Sequence, residues 1–197
     1  MISWFFIGLV ITILLTPGPT NTLLASSGIQ VGLRKSLLLI PAEAVGYIIA
    51  ITAWGMLIGK VSATLPLLPT FLKLLSAAYI IFLAIKLWRT ANQEVVLNQP
   101  TIRPKELLCA TLLNPKALLF ASAIFPAAAW KSQDIYMAHM ATFVALILPI
   151  ALCWICVGAM LASKKVNWLS QAKLQRTACV VLVSFAIPIS YSALNNL

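Results

Sequence analysis

The chain has 197 residues, 61% of them hydrophobic and 9% charged, with a mean hydropathy of +0.99, a composition that excludes an ordinary soluble domain and makes lipid the main solvent. Fourteen Lys and Arg against four Asp and Glu give a formal charge of +10. On a soluble chain that excess would point to nucleic acid, but here the basic residues fall between apolar runs, so the expected surroundings are a lipid bilayer with no nucleic-acid partner.

A hydrocarbon core about 30 Å thick takes roughly 20 apolar residues per helical span. Six such runs follow in chain order: Trp4–Ser27, Ser36–Gly59, Pro69–Trp88, Glu106–Pro126, Tyr136–Ala162 and Arg176–Asn195. They are continuous and lack polar alternation, which excludes a β-barrel. The predicted fold is an all-α membrane protein of six transmembrane helices. Residues 1–197 form a single transmembrane domain, because the longest polar segment, Arg89 to Lys105, is only a connector. Only Met1, Ile2 and Ser3 precede the first run, which lacks the basic leader of a signal peptide and is read as a retained span.

Ten of the basic residues cluster at alternate connections: Arg34 and Lys35 at the first, Lys86, Arg89, Arg103 and Lys105 at the third, Lys164, Lys165, Lys173 and Arg176 at the fifth. The second and fourth connections hold only Lys60 and Lys131. The positive-inside rule then places the odd connections in the cytoplasm and both termini outside. Trp4, Trp88, Trp130 and Trp168 fall near span ends, as an aromatic belt requires. Cys109, Cys153, Cys156 and Cys179 lie within apolar runs, so disulfides are not implied, and Cys153 and Cys156 read as small packing residues.

The first run contains LLTPGPTNTLL, Leu14 to Leu24. Pro17 and Pro19 have no N–H, so the carbonyls of Ile13 and Leu15 lose their helical donors, and Thr16 and Gly18 are pushed out of the α conformation. The helix is expected to break there, roughly 20 Å from Trp4 at about 1.5 Å per residue. The fourth run holds a second interruption in LLNPKALLF, where Asn114 and Pro115 lie roughly 15 Å from Lys105. In each case the proline suits the first turn of a new half-helix, with Gly18 or Asn114 at its N-cap. Breaks at membrane depth persist only where protein or a cavity satisfies the backbone. Their placement in the first and fourth runs, which cross in opposite directions, predicts two inverted three-helix repeats with halves near residues 1–90 and 104–197.

Two charges stand inside the spans. Glu43 shares a helical face with Gly46 and Ala50, and with Ala42 and Ala53, so it is expected to point into the bundle. Lys116 follows Pro115 directly, where it opposes the half-helix dipole unless an anion, either Glu43 or a bound carboxylate, sits beside it. His139 is read as interfacial. No nucleophile triad, metal cluster or phosphate loop is present in the sequence, so no catalytic residue, metal or cofactor is expected and the chain is not read as an enzyme.

TPGP at Thr16 to Pro19, Asn21 after it and GIQVGLRKS at Gly28 to Ser36 resemble the PGP and GxxxGxRxG signature of the LysE/RhtB family of amino-acid exporters. Leu72 to Arg89 resembles that family's third span, and LLNPKALLFASAIFP, Leu112 to Pro126, its NPK motif. The resemblance runs in order over nearly the whole chain. It implies a six-helix exporter of amino acids or close derivatives in a bacterial inner membrane, driven by the proton gradient and dimeric. The family's motif positions carry over to Pro17, Gly18, Pro19, Asn114, Pro115 and Lys116. Ser36, Ala42, Ser76 and Ala84 stand where many members have Gly; Glu43 stands at a usually apolar place, and Tyr47 where some relatives carry an acid.

Three functions are therefore weighed. Export of a small zwitterion would use N–H groups at Thr20 and Asn21 and near Lys116 for the carboxylate, with Glu43 and freed carbonyls for the ammonium and Glu43 as the proton-coupling group. A transmembrane thiol electron carrier would need cysteines beside the broken prolines, where this chain has none nearer than Cys109. Transport of another solute such as a metal ion is poorly served by one intramembrane acid beside a lysine.

Overall fold

In the computed structural model the described residues are 2–61, 64–65, 67–90, 102–162, 176, 179–180, 183–184, 186–187, 190–191 and 194, and all of their regular structure is helical. Seven helices come first to last: α1 Trp4–Leu15, α2 Pro19–Ser36, α3 Leu39–Val61, α4 Leu68–Thr90, α5 Pro104–Leu112, α6 Pro115–Leu119 and α7 Gln133–Ala162. The described residues from 176 onward are also helical. Most of the sixth predicted span, the connector, and Lys164, Lys165, Trp168 and Lys173 lie outside the described residues.

α3 and α7 are each long and apolar enough to cross a membrane, and the bent pairs α1–α2 and α5–α6 each qualify as one broken span. The bends are 55° and 46°. Both fall where the prolines require them. α1 starts on Ser3, whose Oγ accepts the Phe6 N–H at 3.1 Å, and ends on Thr16, whose N–H and hydroxyl both donate to the Thr12 carbonyl. The next residue, Pro17, has nothing to donate. α2 opens from an extended Gly18 with Pro19 in its first turn, and α6 opens from Asn114, whose side chain caps the Lys116 N–H at 3.0 Å, with Pro115 in its first turn.

Two further irregularities shape the bundle. α2 kinks at Gly32, which has φ +76°, a conformation that costs other residues about 1–3 kcal/mol. Its carbonyl accepts the Ser36 hydroxyl at 2.8 Å, and that hydroxyl lies 2.8 Å from the Ser27 hydroxyl. α6 runs into a π turn, Phe120–Ile124, closed by the Phe125 N–H on the Phe120 carbonyl at 2.8 Å. Pro126 then ends the helix, and a 3₁₀ turn, Ala127–Trp130, leads to α7.

With no hydrophobic drive between helices in lipid, close backbone approach does the packing. A Cβ on Gly28 of α2 would stand 2.2 Å from the Ile155 carbonyl oxygen, and one on Gly158 of α7 would stand 1.9 Å from that of Ala25. α2 and α7 are thus interlocked by reciprocal glycines. Gly46 admits Thr111 of α5 against α3, and Gly55 admits the Trp130 indole. Glu43, Gly46 and Ala50 face inward as their spacing predicts, but Ala53, expected on the same face, is exposed. His139 is buried within the bundle: its ring meets Phe6 edge-on at 4.8 Å, and Nδ1 lies 2.7 Å from the Ile135 carbonyl.

Gly158→Ala drives a methyl group into a carbonyl and is expected to cost at least about 1–3 kcal/mol, read as a lowered unfolding temperature in detergent. Gly8→Ala, whose Cβ meets nothing within 4 Å, is the control and should leave that temperature unchanged.

Candidate functional site

The Pro-Gly-Pro break leaves the last carbonyls of α1 without helical donors, and three side chains supply them. Lys116 Nζ donates to the Ile13 carbonyl at 2.9 Å and to the Thr16 carbonyl at 2.6 Å. Asn21 Nδ2 donates to the Leu14 and Thr16 carbonyls, both at 2.7 Å, and Trp154 Nε1 reaches the Leu14 carbonyl at 3.3 Å. The orphans expected from the sequence are Ile13 and Leu15; besides Ile13, the structure uses Leu14 and Thr16, because the backbone is extended at Thr16 and Gly18 and leaves the helical path there.

Lys116 answers its own dipole problem in this way. Its backbone sits in the first turn of α6, at a positive helix end, but its side chain crosses to the C-terminus of α1, a negative one. The crossing passes over Gly18, where a Cβ would stand 3.0 Å from both Cε and Nζ. A side chain at position 18 would push the lysine off its carbonyls.

Asn114 ties the second break to the first. While its Oδ1 caps α6, its Nδ2 donates to the Tyr47 hydroxyl of α3 at 2.9 Å and to Thr20 Oγ1 of α2 at 3.3 Å. The Thr20 hydroxyl is also a hydrogen-bonding neighbour of the Glu43 carboxyl. Glu43 is 1% exposed, and its Oε1 is buried with no hydrogen-bond partner among the described residues. Lys116, also 1% exposed, interacts with Glu43 through charge, while its hydrogen bonds go to carbonyls. Tyr47 packs edge-on against Phe120 and Phe143 and closes the site on the α7 side.

The structure therefore brings Thr20, Asn21, Glu43, Asn114 and Lys116 into one buried cluster around the first break, with Pro17, Gly18 and Pro19 as the link and Pro115 starting α6. Sequence reasoning misses Tyr47 and Trp154 as members. Trp154 carries a usable signal: it lies in mid-span, far from any belt, and an indole N–H in an apolar interior needs an acceptor. Among the described residues no three metal-ligating side chains come together. Cys109 and Cys153 are exposed and Cys156 and Cys179 half-buried, and none of them contributes to this cluster. Beyond the π turn, a cavity of about 320 Å³ is lined by Ile58, Ser122, Phe125, Trp130 and Lys131 among others.

A broken helix whose two ends are buried together with an unpartnered carboxyl oxygen, inside a bundle that turns apolar residues outward, defines a membrane transporter. Residues 11–193 match the family described as LysE type translocator. The chain belongs to that family. It is 33% identical over 120 residues to an uncharacterized membrane protein of Vibrio cholerae, a match spanning 57% of each chain. It is also 27% identical over 198 residues to the cysteine/O-acetylserine efflux protein of Klebsiella pneumoniae, covering 93% of this chain and 97% of that one. No solved structure gives a significant match.

Asn21→Leu should cost about 1–3 kcal/mol, since the Leu14 carbonyl would keep only the longer Trp154 bond. Thermal unfolding in detergent measures it. A change within error would mean that the break is satisfied without Asn21.

Proposed function

We propose that this protein exports small zwitterions, amino acids or close derivatives, across the bacterial inner membrane in exchange for protons. A helix broken at membrane depth exposes a negative end and a positive end within a few residues of each other, and a zwitterion has the complementary pair of charges. The observation that carries this reading is the Lys116 Nζ seated on the Ile13 and Thr16 carbonyls, which marks a cradle for a primary ammonium. Across the break, the first N–H groups of α2, at Thr20 and Asn21, have no capping side chain from Gly18 and suit a carboxylate. Glu43 stands beside both as the countercharge and proton-exchanging group, and Asn114 and Lys116 hold the second break against the first.

The name of the Klebsiella relative supports the substrate class, because cysteine and O-acetylserine are both small zwitterions with uncharged side chains. The overall design that accompanies this proposal has two inverted halves, from the paired breaks, and both termini outside with odd connections in the cytoplasm, from the basic residues, together with the six spans and the dimer that the family resemblance implies.

Uptake of labelled cysteine and O-acetylserine into inverted vesicles tests it. An imposed pH gradient, acid inside, should drive accumulation, and its collapse should stop it. Glu43→Gln is expected to lower that uptake about tenfold or more, the size of a lost charged partner worth about 1.5–3 kcal/mol. Uptake indifferent to the gradient would remove proton exchange from the proposal, and full activity in Glu43→Gln would remove Glu43.

A further inference from the structure

We infer that Lys116 is a tethered stand-in for the substrate's ammonium, seated on the α1 carbonyls until Glu43 draws it away. The inference rests on the exporter reading and adds what empties and refills its cradle.

A lysine side chain and the α-amino group of an amino acid end in the same chemical group, –NH₃⁺ with three donors. Carbonyls that accept one accept the other. With Lys116 Nζ at 2.9 Å from the Ile13 oxygen and 2.6 Å from the Thr16 oxygen, a substrate ammonium cannot occupy the same place. Binding of cargo therefore requires the lysine to leave. A buried ammonium leaves a pair of carbonyls only for something that replaces them.

Glu43 Oε1 supplies the second seat. It is buried, has no hydrogen-bond partner among the described residues, and belongs to a carboxyl already coupled to Lys116 by charge. The backbone of Lys116 is pinned by the Asn114 cap at 3.0 Å, so its four-carbon stem alone has to swing. Gly18 leaves open the notch that the stem crosses. The other polar groups packed around this pair are Thr16 from the link, Thr20 and Asn21 from α2, Tyr47 from α3, Asn114 and Trp154. Glu43 and Lys116 are the only acid and base among these described neighbours.

The result is an exchange with two positions. When Glu43 is ionised, Lys116 pairs with it and the cradle opens to a substrate ammonium. When Glu43 takes up a proton, the lysine loses its partner, returns to the carbonyls and expels the cargo. Protonation on the outer side thus releases substrate outward, and loss of the proton on the cytoplasmic side readies the cradle again. This is the sense of exchange that export against an inward proton gradient needs.

The decisive test is a double substitution, with binding of labelled O-acetylserine measured on protein in nanodiscs. Glu43→Gln locks the lysine on the cradle and is expected to weaken binding about tenfold or more, whereas Glu43→Gln combined with Lys116→Ala should restore it to within about threefold of wild type. If Glu43 instead held the ammonium directly, the double variant would bind no better than Glu43→Gln. Wild-type binding should weaken as the pH falls, and Lys116→Ala should lose that dependence. Lys116→Met, which keeps the stem and removes the charge, gives the same pH readout should Lys116→Ala fail to fold. Binding by wild type without rescue in the double variant overturns the exchange. Absence of binding in wild type overturns the exporter reading instead, and the cradle is then tested by n-butylammonium. That cation should raise the unfolding temperature of Lys116→Ala and leave wild type unmoved, and equal effects on both overturn the stand-in role.

Discussion

The carbonyls of Ile13, Leu14 and Thr16, left without helical donors at the Pro17–Gly18–Pro19 break, belong to buried residues, and an unsatisfied backbone group in apolar surroundings costs several kcal/mol. The rest of the architecture answers that constraint. Lys116, Asn21 and Trp154 arrive from three different helices to supply the donors, so α2, α6 and α7 must converge on one point at the end of α1. The reciprocal glycines between α2 and α7 let Trp154 come close enough, and the second proline break lets Lys116 project across the bundle rather than along its own helix.

The two breaks are chemically unequal, although their sequences look alike. Asn114 closes the second break with its own side chain, capping α6 and reaching Thr20 and Tyr47. Gly18 closes nothing, and the first break depends on groups from elsewhere in the chain. A self-capped break is a fixed strut, whereas one capped by a distant lysine is held by a contact that can be exchanged. The functional asymmetry follows from the presence of a side chain at one N-cap and its absence at the other.

Much of this is legible in the sequence where the cause is local. Missing N–H groups at Pro17, Pro19 and Pro115 predict both breaks, and the glycine and asparagine before them predict both caps. The small-residue spacing around Glu43 predicts its inward direction, failing only at Ala53, one turn too far along. Lys116 shows where local reasoning stops. Its sequence position beside a positive helix end argues for an anion, while its partners are carbonyls about a hundred positions earlier in the chain, a pairing that no periodicity encodes. A tally of orphaned acceptors against buried donors would have pointed to it, and to Trp154. The enclosure of His139 is likewise illegible in sequence, because it comes from the packing of Phe6 and Phe125 around the ring.

The π turn at Phe120–Ile124 holds one residue more than the α-helix it interrupts. One residue is about 100° of rotation at 3.6 residues per turn, so each side chain beyond the turn faces a different way from the one a plain helix would give it. Phe125 comes to rest against Phe6 and Trp130 because of that rotation. Removing one residue from the turn would therefore swing Phe125 about 100° away from Phe6 and Trp130, while Lys116, which precedes the turn, would keep its place.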